Sequence, residues 1–441
     1  MTPTKTSLVT TDDTEDEVIQ QPKIYAKNSF DRFGDDLCGH ILSYLSLDDR
    51  FDYECVSKQF QRTVFESVVD IALHDKFVRS RTDVNDMKML ATISRKCSHI
   101  HTIDIRRIDT KKLPEVLTIF RNNCRHLRNI YCILDTNTAQ MMPEFGPMVT
   151  QIDGIWLDER QVLNDCHHLS RLRSSLSNCF DNTSGKLLVK NLQRIEFSYN
   201  ISNNNQQLSA FVAQNQSLRS VEFIDSGYQT HESLTEMAEQ LSRLPQLRHL
   251  ELDLKPTNGQ NSLDESLRTI GQKCRQLKRL TLRLSYNNNC GLEDQSLDSL
   301  RSYPRLKRLD LIIRVIIDDV FLDPMKHCHR LTHLSLNSSQ MSDNLFVNCD
   351  KHWPRLQYLF IKTNDMTVEC LDHISRLPAL QTLAFECKQF IGSAITRNLL
   401  TNNFMDNVCE DLLTKSLKLK TIEIRRNTVS KIYCRKNGIN I

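Results

Sequence analysis

The sequence predicts an α/β solenoid: a small three-helix unit, then a curved horseshoe with parallel strands on its concave face and helices on its convex face. Two observations carry this prediction. The frame L-x-x-L-x-L, clearest in the stretch CRQLKRLTLRL from Cys274 to Leu284, recurs along the chain. Its copies start at Ile100, Leu127, Ile152, Leu192, Leu218, Leu247, Leu277, Leu306, Leu331, Leu356, Leu380 and Leu419, with a weaker copy at Leu169, and most intervals are 24 to 30 residues. The second observation is a register of cysteines. Cys97, Cys124, Cys166, Cys274 and Cys328 each stand three residues before a start, which assigns them a fixed structural role as small, buried, reduced hydrophobes.

The period is that of a leucine-rich repeat. A chain of 441 residues exceeds one ordinary globular core, but a solenoid grows by stacking and has no such limit. The two long intervals, Ile152 to Leu192 and Leu380 to Leu419, are read as an irregular region and as a repeat carrying an insertion. A formal charge of +3 makes no case for nucleic acid or an anionic membrane, and no apolar run has the length of a membrane span. The first residues, polar and then acidic, are unlike a signal peptide. The fifteen cysteines, odd in number and without a C-x-x-C pair, fit a reducing compartment. Cytoplasm or nucleus is the expectation.

Taken in order, residues 1–27 carry five carboxylates and no helical or strand period, and are expected to be a disordered acidic tail. Residues 28–76 are expected to form the helical domain. Asp35 or Asp36 can cap a helix through Leu37, Ile41, Leu42 and Leu45, and Ser46-Leu47-Asp48-Asp49 has capping-box form for a second. A third begins near Ser57, with Phe60, Val64, Val68 and Leu73 facing inward. So many apolar side chains on so small a unit predict that some cover a partner. Residues 77–99 read as a linker and a cap helix with Val84, Met87, Leu90 and Ile93 on its apolar side. Residues 100–427 are the solenoid of about 12 to 13 repeats. Its convex helices show in Leu208, Phe211 and Val212, in Leu234, Met237, Leu241 and Leu244, and in Leu263, Leu267 and Ile270. Residues 392–415 read as an insertion loop or an extra helix, and residues 428–441 as a basic, solubilising tail.

The segment FDRFGDDLCGHILSYLSLDDRFDYECVSKQFQRTVF resembles an F-box. The matching positions are Asp35, Asp36, Leu37, Ile41, Leu42, Tyr44, Leu45, Leu47, Asp48, Arg50, Val56, Lys58, Phe60 and Arg62. Phe33-Gly34 stands where Leu-Pro is usual, and Phe60 where tryptophan is usual. An F-box followed by leucine-rich repeats resembles the substrate receptors of Skp–cullin–F-box ubiquitin ligases, and the cysteine register resembles the repeat subclass common among them. The Asn or Cys expected eight residues after a start appears only as Asn200 and Asn364. The resemblance implies docking on a Skp-type adaptor through Phe33, Asp35, Leu37, Ile41, Leu42, Tyr44, Leu45 and Phe60. Through the adaptor it implies a cullin and a RING protein, and on the repeats a protein substrate.

Alternation along the strands points Leu280 and Leu282 into the core and Arg279, Thr281 and Arg283 to the concave side. Glu196, Glu222 and Glu251 should then stack about 5 Å apart, with Asp253 on the same face, as an unpaired acidic column. Arg279, Arg308 and His333 form a second column beside Arg283, and Tyr358 and Phe360 place two aromatics farther along. The expectation is a basic partner segment on the glutamates, anchored by the aromatics. No phosphate loop, H-E-x-x-H, G-x-S-x-G or zinc spacing is present, so no enzyme, cofactor or metal is expected. His167-His168 and His327-Cys328-His329 are read as turns beside structural cysteines. A repeat scaffold without ubiquitin machinery, or an adaptor-only F-box protein, is the alternative.

Overall fold

The computed structural model describes residues 34–74, 83–155, 160–198, 205–224, 228–256, 262–285, 297–314, 321–339, 341–391, 402–416, 418–426 and 429–435. The expected tail at 1–27, Phe33 and Asn200 lie outside them. In an extended chain the second and third apolar residues of the frame point to the same side, so each copy is built to be a strand with one buried face. The strands are β1 (Asp70–His74), β2 (Thr102–Arg107), β3 (Asn129–Leu134), β4 (Val149–Ile155), β5 (Arg171–Ser174) and β6 (Arg194–Ser198). They continue as β7 (Ser220–Ile224), β8 (Tyr228–Gln229), β9 (His249–Pro256), β10 (Arg279–Leu284) and β11 (Arg308–Ile313). The last are β12 (His333–Ser338), β13 (Tyr358–Thr367), β14 (Thr382–Ile391), β15 (Thr421–Arg426) and β16 (Val429–Cys434). They form one open sheet in chain order, with β8 standing off the path beside β9. Neighbours from β1 to β15 are parallel, as a solenoid of repeated crossovers requires. The thirteen residues expected as frame starts are all buried in one continuous core.

On the convex side, helices Asn205–Gln214, His231–Ser242 and Ser262–Lys273 back the middle of the sheet. The repeats starting at Leu306 and Leu331 span only 25 residues each. Their convex segments are the tighter 3-10 turns Asp323–His327 and Asp343–Phe346 and a four-residue helix, Cys349–His352.

Three expectations are corrected. Ile152 is not a repeat start: it pairs with Leu172, the middle position of its own frame, and the buried set in β4 is Val149, Ile152 and Ile155. Gly154, at φ 121°, breaks the two-residue alternation there, and the register slips between β3 and β4. Leu73 is not helical. The third helix stops at Glu66, and Val68, Val69 and Ile71 are β-branched, so the chain turns into β1. The sheet therefore begins inside the segment assigned to the helical domain. At the other end, β16 pairs antiparallel with β15 and closes the open edge, so part of the expected tail is a strand. Helix Asn402–Lys415 fills the long interval and buries Cys409, Leu412 and Leu413.

The register position three residues before each frame start makes a second ladder. Cys124 Sγ donates to Ser94 O at 3.5 Å, Cys274 Sγ to Leu241 O at 3.4 Å and Cys328 Sγ to Leu300 O at 3.8 Å. Trp353, in the same register, donates its Nε1–H to Met325 O at 3.1 Å. Each acceptor lies six residues before the start of the preceding repeat. These carbonyls end a convex helix or turn; Leu241, Leu300 and Met325 each accept one N–H there, from Leu244, Tyr303 and Cys328, and the neighbouring repeat supplies a second donor. Asn215 does the equivalent, donating to Val189 O at 3.3 Å and accepting from Leu192 N at 3.0 Å. Burial pushes the Cys97, Cys274 and Cys328 thiols up to about 12 and that of Cys124 to about 11.

Trp353→Phe keeps an aromatic ring but removes one of the two donors to Met325 O, leaving Cys328 N at 2.9 Å. The lost bond should cost about 0.5–1.5 kcal/mol, read as a lower denaturant midpoint with an unchanged slope; an unchanged midpoint would remove this role. In mildly alkaline buffer a thiol reagent should modify the exposed Cys55 and Cys434 in the native chain and reach Cys274 only on unfolding. Prompt native labelling of Cys274 would contradict the burial.

Candidate protein-interaction surfaces

The N-terminal unit consists of α1 (Asp35–Leu42), α2 (Leu47–Asp52) and α3 (Lys58–Glu66). Ser46 Oγ accepts from Asp49 N at 3.1 Å, and Ser57 Oγ accepts from Phe60 N at 3.0 Å, so hydroxyls start both later helices. Asp35 ties α1 to α3, accepting from Gln59 Nε2 at 2.8 Å and Arg62 Nη2 at 3.0 Å. Those two bonds, Gln59 first, hold its carboxyl below the usual range. The unit is bound to the solenoid. His101 N donates to Val69 O at 2.7 Å, and Lys96 reaches Glu54 at 2.6 Å while lying over the Phe65 ring.

Of the residues expected to meet an adaptor, two are interior. Leu42 is 0% exposed and Phe60 4%, because a unit this small needs its largest apolar side chains to fill its own core. Ile41 and Leu45 are half-buried, and Leu45 packs on the core. Leu37 is 45% exposed and Tyr44 76%. Tyr53 and Val56 are exposed as well. Among the described residues the other exposed large apolar side chains are Val69, Val347 and Ile432, so the helical unit holds the concentration. Tyr53 was not anticipated as a contact residue; it lies in the turn after α2, where apolar side chains have no helical stripe to reveal them.

On the concave face the register is as expected: Glu196, Glu222 and Glu251 stand opposite one another, followed by Thr281 and Asp310. They are not unpaired. Arg173 Nε lies 2.8 Å from Glu196, Arg194 Nη2 lies 2.9 Å from Glu222, and Arg283 pairs with Glu251. Arg308 Nε pairs with Asp310 at 2.7 Å. In each pair the carboxylate lies deeper: the Glu222 side chain is 6% exposed against 45% for Arg194, and Asp310 16% against 47% for Arg308. The expected acidic stripe is thus roofed by guanidinium groups. Thr281 is itself buried, covered by its longer neighbours. Asp253 stands half-buried in register with Arg283.

Burial raises the carboxyl of Glu196, Glu222 and Asp153 reinforce this, and Arg173 and Arg194 only partly offset it. Burial lowers His249, and Glu222 opposes that shift. The stability tied to His249 is present above the ordinary histidine value and lost as pH falls through its depressed folded value. Arg279, Arg308 and His333 do stand in one row, continuing to Tyr358. His333 and Tyr358 stack with centroids 5.8 Å apart, and the Arg425 guanidinium lies 4.9 Å from the centre of the Phe360 ring. Both expected aromatic anchors are half-buried and already have partners. Near β4 to β6 a cleft of about 240 Å³ is lined by Arg106, Gln151, Asp153, Arg171, Arg173 and Glu196 among others. His329 Nδ1 lies 3.0 Å from His352 O, and Cys328 beside it belongs to the core ladder.

No protein-family model and no curated protein matches the sequence. Solved structures that the chain is similar to include an internalin from Listeria monocytogenes, at 13% identity and a TM-score of 0.40 over 89% of this chain and 95% of that one. The Rad7 and Elc1 complex in yeast gives 12% identity and a TM-score of 0.44 over 83% and 92%. A TLR13–ssRNA13 complex gives 13% identity and a TM-score of 0.42 over 82% of this chain and 57% of that one. No described helix is long and apolar enough to cross a membrane.

Glu222→Gln removes the charge that opposes the depression of His249, so the His249 ring should titrate at lower pH still. An NMR titration of its ring protons checks this; an unchanged or raised value would show that the pairing on this face is misassigned.

Proposed function

We propose that this chain is the substrate-recognition subunit of a Skp–cullin–F-box ubiquitin ligase. The helical unit docks on a Skp-type adaptor and through it joins a cullin and a RING protein, while the repeats hold the protein to be ubiquitinated. The observation that supports this reading best is the gathering of exposed apolar side chains, Leu37, Tyr44, Tyr53 and Val56, on a three-helix unit whose sequence resembles an F-box. A soluble surface does not expose such groups in concentration without a partner for them. Leu42 and Phe60 then serve as the support for this surface rather than as contacts. The chain itself performs no chemistry in this reading. It brings substrate lysines near a ubiquitin-loaded enzyme, and proximity supplies the rate. The Lys96–Glu54 pair and the His101–Val69 backbone bond suit that role, because a docking surface joined in this way keeps its orientation to the solenoid.

Coexpression of the full chain with a Skp-type adaptor should yield a stable complex. The double variant Leu37→Asp, Tyr44→Ala should lose it by more than about tenfold in affinity, since each side chain contributes roughly 1.5–3 kcal/mol when buried. Circular dichroism should be unchanged, both residues being exposed. Failure of the unaltered chain to bind any such adaptor would leave a leucine-rich-repeat interaction scaffold without a ligase role.

A further inference from the structure

The frame carries one more row of side chains, at the residue immediately after each start. In four successive repeats this residue is Arg219, Arg248, Lys278 and Lys307. All four are exposed, and their backbones are joined strand to strand: Arg248 N donates to Arg219 O at 2.9 Å, Lys278 N to Arg248 O at 2.8 Å and Lys307 N to Lys278 O at 2.9 Å. They therefore stack at strand spacing along the entrance edge of the concave face. None of the four makes an ion pair or a side-chain hydrogen bond among the described residues. Arg279, next to Lys278, is likewise exposed and unpaired, and Arg308, next to Lys307, projects above its carboxylate.

The contrast with the rest of the face gives the row its meaning. A few residues along each strand, every buried glutamate in the acidic column has an arginine, and like charges that stack in register are mutually unfavourable unless neutralised. Here no neutralising group stands among the described residues. Resting on the proposed receptor role, we infer that this edge binds an extended segment of the substrate bearing oxyanion side chains, carboxylate or phosphoryl. Three strand spacings of about 4.8 Å give a strip roughly 14 Å long, the reach of about four residues of extended peptide. Guanidinium forks at Arg219, Arg248 and Arg279 suit planar, bidentate capture of such groups. No aromatic ring interleaves the row, so it lacks the stacking platform on which single-stranded nucleic acid is held. The polarity is opposite to that expected from the glutamate column alone, because those glutamates are covered.

The test is fluorescence anisotropy at low ionic strength with the full chain bound to its adaptor. The probes are an octapeptide rich in Glu and Asp, the same peptide with a central phosphoserine, a lysine-rich octapeptide and a single-stranded oligonucleotide. The acidic peptides should bind and the lysine peptide should not; a gain on phosphorylation would assign the site to phosphoryl groups, and equal binding to carboxylates. Arg248→Glu, Lys278→Glu should weaken the acidic peptides about tenfold or more without shifting the melting temperature, since neither residue has an internal partner. Equal binding of the lysine peptide, preference for the oligonucleotide, or wild-type affinity in the variant would each overturn the inference. No binding of the acidic peptides by the unaltered chain, with its adaptor complex intact, would overturn it while leaving the receptor reading in place.

Discussion

The bond on which the rest of this molecule depends is the one that each repeat makes to the backbone of the repeat before it. A repeat of 24 to 30 residues cannot bury its apolar face alone, and its convex segment ends in buried carbonyls that its own N–H groups satisfy only in part. Cys124, Cys274, Cys328 and Trp353 fill the core and give those carbonyls a donor from the next repeat. A cysteine sulfur is a weak donor, so the bonds matter less for their strength than for fixing where one repeat seats on the next. With the repeats locked in this way, the strands keep one register across the sheet, and side chains at equal positions become continuous rows. Function on the concave face is a consequence of that register.

Rows of equal residues create an electrostatic problem, and the two halves of the face handle it differently. Glutamates stacked at strand spacing repel, so arginines from adjacent strands are interleaved among them, and the carboxylates sit beneath. Pairs exposed at the arginine end add little net stability, but they decide which sign of charge meets solvent. The edge row from Arg219 to Lys307 has no such interleaving. A surface built of neutralised acids and free bases presents cations outward although the chain as a whole is close to neutral.

Much of this was legible in the sequence, and what was not has physical reasons. The frame starts and the core positions Leu280 and Leu282 follow from spacing alone, and the cysteine register marked buried sites before any hydrogen bond was visible. Ile152 was misplaced because a glycine at positive φ let β4 abandon the two-residue alternation on which the frame rests. The four-residue spacing of Phe60, Val64 and Val68 suits a helix, but Leu73 lies five residues farther on, off that stripe, and the β-branched run before it favours a strand. Pairing of the glutamates depends on how far arginines reach across strands, which spacing does not encode. The edge row is legible in the sequence, since it needs only the residue after each start.

The helical unit and the concave face lie on one continuous body, so the account assigns them two different partners. Hydrogen–deuterium exchange of the full chain, with and without a Skp-type adaptor, tests that division most directly. Protection should be confined to residues 35–66, strongest around Leu37, Tyr44 and Tyr53, with the strands from Ser220 to Ile313 unchanged. Protection on those strands instead, or none in the helical unit, would contradict it.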